Sequence, residues 1–155
     1  MRDKRFIAEH RGGPLKKEQH GQLIKWAGAC CEHVLPLFGE LLDERLKNAL
    51  RVAKEWEKGN ATVGDARKAS LKAIEVANES SNPSAIAAAR AVGHAVATAH
   101  MADHSLGAAL YPLIAVKNAG KSIDDERKWQ IDRLPSEILE LVRTAMSEKE
   151  KHLIK

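Results

Sequence analysis

A chain of 155 residues, of which 44% are hydrophobic, is long enough to bury an apolar core and too apolar to stay disordered. Its 25 basic residues are interleaved with 21 acidic ones, so the net charge of +4 is not concentrated in the basic segment typical of nucleic-acid-binding proteins. The composition therefore disfavours nucleic acid as the main partner.

The N-terminal third of the sequence predicts an arm followed by one long helix. Residues 1–14 form the arm, which Gly12-Gly13-Pro14 closes. The helix runs from about Leu15 to Leu35 and ends before Pro36, which lacks a backbone donor. Apolar residues recur along it at helical spacing: Leu23, Trp26, Ala27, Cys30 and Val34.

Two further helices begin at residues with good capping side chains. Asp43 is the expected N-cap of the second helix, which stops at Gly59-Asn60. Thr62 followed by Asp65 has the spacing of a capping box and opens the third helix. The predicted inner face of the third helix consists of Ala66, Ala69, Ser70, Ala73 and Ala77.

An alanine-rich helix over residues 83–102 is predicted to be the central and most buried element, because it is apolar on most of its circumference. Asn82 is its expected N-cap and Pro83 its first residue. A second apolar run, from about Ser105 to Ala119, either continues this helix through a kink or forms a separate helix. The sequence leaves both possibilities open.

The C-terminal part predicts a short helix bearing Trp129 and, after Leu134-Pro135, a final amphipathic helix. Residues 147–155 form a highly charged tail that can fray. No alternating apolar and polar run rich in β-branched residues indicates a strand. We therefore expect one all-α domain over residues 1–155, as a compact bundle or stacked helical hairpins of about six to seven helices.

The conspicuous polar cluster of the sequence consists of His94, His100, Asp103 and His104. On one continuous helix His100 and His104 lie about 40° apart round the axis, a spacing that lets two imidazoles share a metal. A metal site needs three or four ligands, and His94 is offset from His100 by roughly 120°. We therefore predict no metal, other cofactor or catalytic residue. Packing of neutral rings among alanines is favoured, and a cleft that meets a ligand or partner stays open as a second interpretation.

Two further features bear on where the protein acts. Cys30 and Cys31 point about 100° apart on a helix and make a poor disulfide pair. No apolar signal-peptide core follows the charged N-terminus, and histidines and glycines interrupt the apolar region 85–116, which disfavours a membrane span. A cytoplasmic location is expected, and a homo-oligomer is left open.

Three stretches taken in order resemble a known family: WAGACCEHVLPLFGE at 26–40, AVGHAVATAHMADHSLGAALYPLIAV at 91–116 and DDERKWQIDRLP at 124–135. The resemblance spans roughly residues 15–135 and is to small helical proteins described as putative immunity proteins of bacterial toxin systems. It implies a protein that binds and blocks a cognate toxin domain, and it supplies no catalytic residue to transfer.

The sequence thus supports one function first, with an alternative from another class. The first is a non-catalytic helical protein-binding module, an immunity-type inhibitor whose partner is another protein. An exposed patch with aromatic or arginine anchors, such as Trp56 or Trp129, would mark it. The alternative is a small-molecule or metal-dependent enzyme that uses the region from His94 to His104.

Overall fold

The computed structural model describes residues 3–39 and 41–153, and α-helices account for most of these residues. The helices are α1 (Lys17–Val34), α2 (Glu44–Glu57), α3 (Val63–Glu79), α4 (Pro83–Ala97), α5 (His104–Asn118), α6 (Ile123–Asp132) and α7 (Ser136–Leu153). Short 3-10 helices precede and follow α1, and no β-strand occurs in the described ranges. The predicted all-α fold is confirmed.

The predicted helix starts are confirmed at the level of individual hydrogen bonds. The hydroxyl of Thr62 accepts from the backbone N–H of Asp65 at 3.0 Å, and the Asp65 carboxylate accepts from the N–H of Thr62 at 2.9 Å. The side chain of Asn82 accepts from the N–H groups of Ser84 and Ala85. Each bond satisfies a backbone donor that the first helical turn leaves without an intrahelical partner.

The core consists of two apolar clusters with α1 between them. One cluster joins α1 to α2, α3 and α4, and the other joins α1 to the N-terminal arm, α5 and α7. Ile24, Ala27 and Cys31 belong to the first cluster, whereas Leu23, Trp26 and Cys30 belong to the second. The apolar face of α1 is therefore wider than the single stripe predicted from the sequence, because helices cover it from two sides.

The alanine-rich helix α4 is the most buried of the helices, as predicted: eleven of its fifteen residues are buried. Its predicted end at residue 102 is wrong, because α4 ends at Ala97. The N–H groups of Ala99 and His100 bond three residues back, to Val96 and Ala97, which tightens the chain into a turn. The chain reverses in this turn, so α4 and α5 are separate helices that pack as a hairpin.

The N-terminal arm folds against the bundle. Phe6 and Leu15 are buried in the second apolar cluster, and Leu15 exchanges backbone hydrogen bonds with Ile7 and Glu9. A Cβ added at Gly13 would collide with the backbone carbonyl of Ile7, so this close approach requires glycine. At the other end, residues 147–153 of the charged tail continue α7, and residues 154–155 lie outside the described residues.

Candidate functional site

The reversal between α4 and α5 brings the predicted histidines together. His94 lies near the end of α4, His104 begins α5, and His100 and Asp103 lie in the connection. The Nδ1 atoms of His94 and His104 are 3.0 Å apart, and the His94 ring stacks on Tyr111 with centroids 5.2 Å apart. The offset of about 120° between His94 and His100 assumed one continuous helix, and it does not apply because the chain reverses between the two residues.

Gly107 makes the contact between the two helices possible. A Cβ added at this position would lie 2.7 Å from Nδ1 of His94, too close for any real side chain. The contact also constrains protonation, because one Nδ1 must donate while the other accepts. Two neutral rings or one neutral and one cationic ring satisfy this requirement, whereas two imidazolium rings present donors to each other.

Burial in this contact lowers the pKa of His94 to about 4. The neighbouring His104 lowers it further, as do Lys149 and Arg90 to a smaller extent, and the carboxylate of Asp103 raises it. The His94 ring is therefore neutral at pH 7. Within the described ranges, no three or more histidine, cysteine, aspartate or glutamate side chains are grouped so that they could hold a metal ion.

The other two predicted residues, His100 and Asp103, line a small cavity of about 90 Å³, which the N-terminal arm, His20 and Trp56 also line. The His100 ring remains in contact with the cluster, because its centroid lies 5.3 Å from that of His104. The His20 ring donates from Nε2 to the carbonyl oxygen of Thr98 at 2.6 Å, and burial lowers its pKa. This bond links the first turn of α1 to the α4–α5 turn.

Sequence reasoning missed His20, although a signal for its burial was present. His20, Leu23, Ile24 and Ala27 follow the i, i+3, i+4, i+7 spacing of a buried helical face. All four side chains are buried. A histidine on such a stripe requires a hydrogen-bond partner, and that partner comes from a turn that is distant in the sequence.

The two tryptophans proposed as partner anchors contact side chains of their own chain. The His33 ring stacks on Trp129 with centroids 3.7 Å apart, and the guanidinium of Arg133 lies 3.8 Å from the same ring centroid. At these distances the two groups must occupy opposite faces of the indole. Trp56 contacts the His20 ring and packs against the first apolar cluster. Both faces of the Trp129 indole are therefore covered within the chain, whereas Trp56 is half-buried and lines a surface pocket.

Both cysteines are buried and free of disulfides. Burial raises the pKa of each thiol well above its ordinary value, so neither is a nucleophile at neutral pH. The Cys31 thiol donates to the carbonyl oxygen of Ala108 at 3.7 Å. That carbonyl has no partner in its own helix, because Pro112, four residues later, lacks an N–H. These contacts match the predicted core role of Cys30 and extend it to Cys31.

Comparison with known proteins identifies one family. Residues 13–137 match the model of a family described as Imm-5 like putative immunity protein. The match contains all three stretches that carried the resemblance, so the family prediction is confirmed. Neither a curated protein nor a solved structure matches the chain. The match therefore identifies the family, and its description names no binding partner.

Proposed function

The chain belongs to the Imm-5 like putative immunity protein family, and on that premise we propose that it binds a toxin and blocks it. The observation that carries the proposal is the match over residues 13–137, which covers α1 to α6 and the start of α7. A well-packed helical bundle is a suitable inhibitor scaffold, because a rigid surface orders few groups when it binds.

The histidine cluster has a structural role in this proposal, linking α4 to α5. Its two closest ring nitrogens contact each other, and the ring of His94 packs on Tyr111. The enzyme alternative requires those rings to act on a ligand. Added zinc or nickel that raises the melting temperature of the protein, but not that of a His94→Gln, His104→Gln variant, would favour the enzyme.

The sign of the net charge suggests which toxins fit. A chain at +4 is attracted to an acidic partner surface and repelled by the basic surface of a typical nuclease. We propose that the toxin has a different activity or presents an acidic face to this protein. In this proposal the complex forms in the cytoplasm, and self-association is not needed for it. Within the described residues, none of the helices has the length and apolar character needed to cross a bilayer.

Co-expression with each candidate toxin domain of the same genome tests the proposal, and one of them is expected to be the cognate toxin. The full chain is expected to restore growth, and the two purified proteins are expected to elute as one complex of fixed stoichiometry by light scattering. The matched control is an immunity protein of an unrelated toxin, which restores nothing. If growth stays arrested and the two proteins elute separately, the proposed function is wrong.

A further inference from the structure

The outward side of α3 carries an exposed apolar stripe. Leu71 is 62% exposed and Ile74 is 45% exposed, and the polar side chains of Arg67 and Asn78 bound the stripe at its two ends. Positions 67, 71, 74 and 78 are spaced by four, three and four residues, which places them on one helical face. Together with Arg90 of α4, these four residues form what we call the α3–α4 seam.

Arg90 borders the same stripe across the helix pair. A Cβ added at Gly93 would lie 3.6 Å from the Cγ1 atom of Ile74, so the two helices meet there. Arg90 precedes Gly93 by three residues and therefore lies on the same side of α4. It is exposed, as is Arg67 on α3. The apolar stripe is thus flanked by an arginine on each helix.

Two acidic side chains of α3 form ion pairs on the side of the helix that faces α2. Arg45 of α2 binds Glu79 at 2.7 Å and approaches Glu75 to 3.7 Å, and Lys72 also lies 3.6 Å from Glu75. Glu79 is offset by at least about 80° from every seam position of α3, whereas Glu75 lies only about 40° from Leu71 and borders the seam on its α2 side. Both carboxylates are paired with cations of the chain, and the five seam positions contain two arginines and no acidic residue.

We propose that the α3–α4 seam is the surface that docks the toxin, and that the matching toxin surface is apolar and rimmed by carboxylates. This inference rests on the proposed function and adds the partner's chemistry to it. Arginine is enriched among the residues that dominate binding energy, and its planar guanidinium can form bidentate hydrogen bonds with a carboxylate. Leu71 and Ile74 supply apolar surface that becomes buried when the toxin docks, which favours binding.

A second copy of this chain is a poorer occupant of the seam. In a two-fold symmetric dimer the same patch contacts itself, so Arg67 and Arg90 would face a seam whose charged residues are again arginines. Glu75 at the border of the seam is already paired with two cations of its own chain. An acidic protein surface pairs both seam arginines instead. Trp129 does not compete for this role, because both faces of its ring are covered within the chain.

The test measures binding of the full chain to the purified cognate toxin domain identified by that co-expression, by calorimetry, at two salt concentrations. The seam variants are Leu71→Ser and the double variant Arg67→Glu, Arg90→Glu. The matched controls are Leu41→Ser, at a leucine that is 90% exposed, and Arg51→Glu on α2. Circular dichroism establishes that each variant is folded like the parent.

We expect each seam variant to weaken binding about tenfold or more, with the double arginine variant losing most of the salt dependence, and the controls to bind like the parent. If the parent binds the toxin and protects cells, and both seam variants do so equally well, the seam proposal is wrong and the proposed toxin binding stands. A parent that neither binds nor protects removes the proposed function, and the seam proposal with it.

Other occupants of the seam give different results. A dimer that Leu71→Ser dissociates in light scattering, with toxin binding unchanged, identifies the seam as a self-association surface and overturns the proposal. Binding to vesicles containing phosphatidylglycerol or to a DNA duplex, lost in the double arginine variant while toxin binding persists, also overturns it.

Discussion

Acid is expected to destabilise this protein through His94. Its pKa is about 4 in the folded chain, against 6.5 for the unfolded residue. Between these two values the unfolded chain binds a proton at this position that the folded chain does not, so the free energy of unfolding falls as the pH falls. The contribution is fully present above pH 6.5 and is lost by pH 4. The interval corresponds to about 3 kcal/mol.

Urea unfolding at a series of pH values from about 7.5 to about 4 measures the effect in the parent and in His94→Gln. The parent should lose about 3 kcal/mol more than the variant over this range. Burial also lowers the pKa of His20, so that residue adds a loss of the same sign. It does so in both proteins and cancels in the comparison. His152→Gln, at an exposed position near the end of α7, is the matched control.

The reasoning fails if the parent and His94→Gln show the same dependence of stability on pH. It also fails if the ring of His94, followed by NMR, titrates near 6.5, its ordinary value, in the folded protein. Either result would mean that water reaches the ring, so that burial between α4 and α5 does not disfavour its charged form.

Three further predictions concern helix packing, helix capping and thiol accessibility. Gly107→Ala should lower the free energy of unfolding by about 1–3 kcal/mol, because the added Cβ meets the His94 ring. Gly28→Ala, whose Cβ would meet no atom within 4 Å, should raise it by up to about 1 kcal/mol. Equal stabilities of the two variants in urea unfolding would contradict the packing of α4 on α5. Asn82→Ala should lower stability by about 1 kcal/mol through loss of the cap of α4, and an unchanged melting temperature would show that the cap contributes nothing. Both cysteines should react with a thiol reagent only after unfolding, and fast labelling of the native protein would show that they are accessible.

The sequence alone determined the class of fold and the beginnings of most helices. Capping depends on residues two or three positions apart, so the pair Thr62 and Asp65 predicts its own hydrogen bonds. Burial of the inner face of α3 followed from helical periodicity, because a 3.6-residue repeat sets which side chains share a face. These features are local and need no knowledge of what packs against the helix.

Only the tertiary structure decided the contacts of the polar residues. The sequence could not show that the chain reverses after Ala97, because the stretch from His94 to His104 favours continuation of the helix as much as a turn. That reversal pairs His94 with His104 beside Gly107. The separate packing of α3 on α4 places the two arginines of the α3–α4 seam on one surface. Such contacts depend on how whole helices pack, and packing is set by shape and charge between segments that are distant in the sequence.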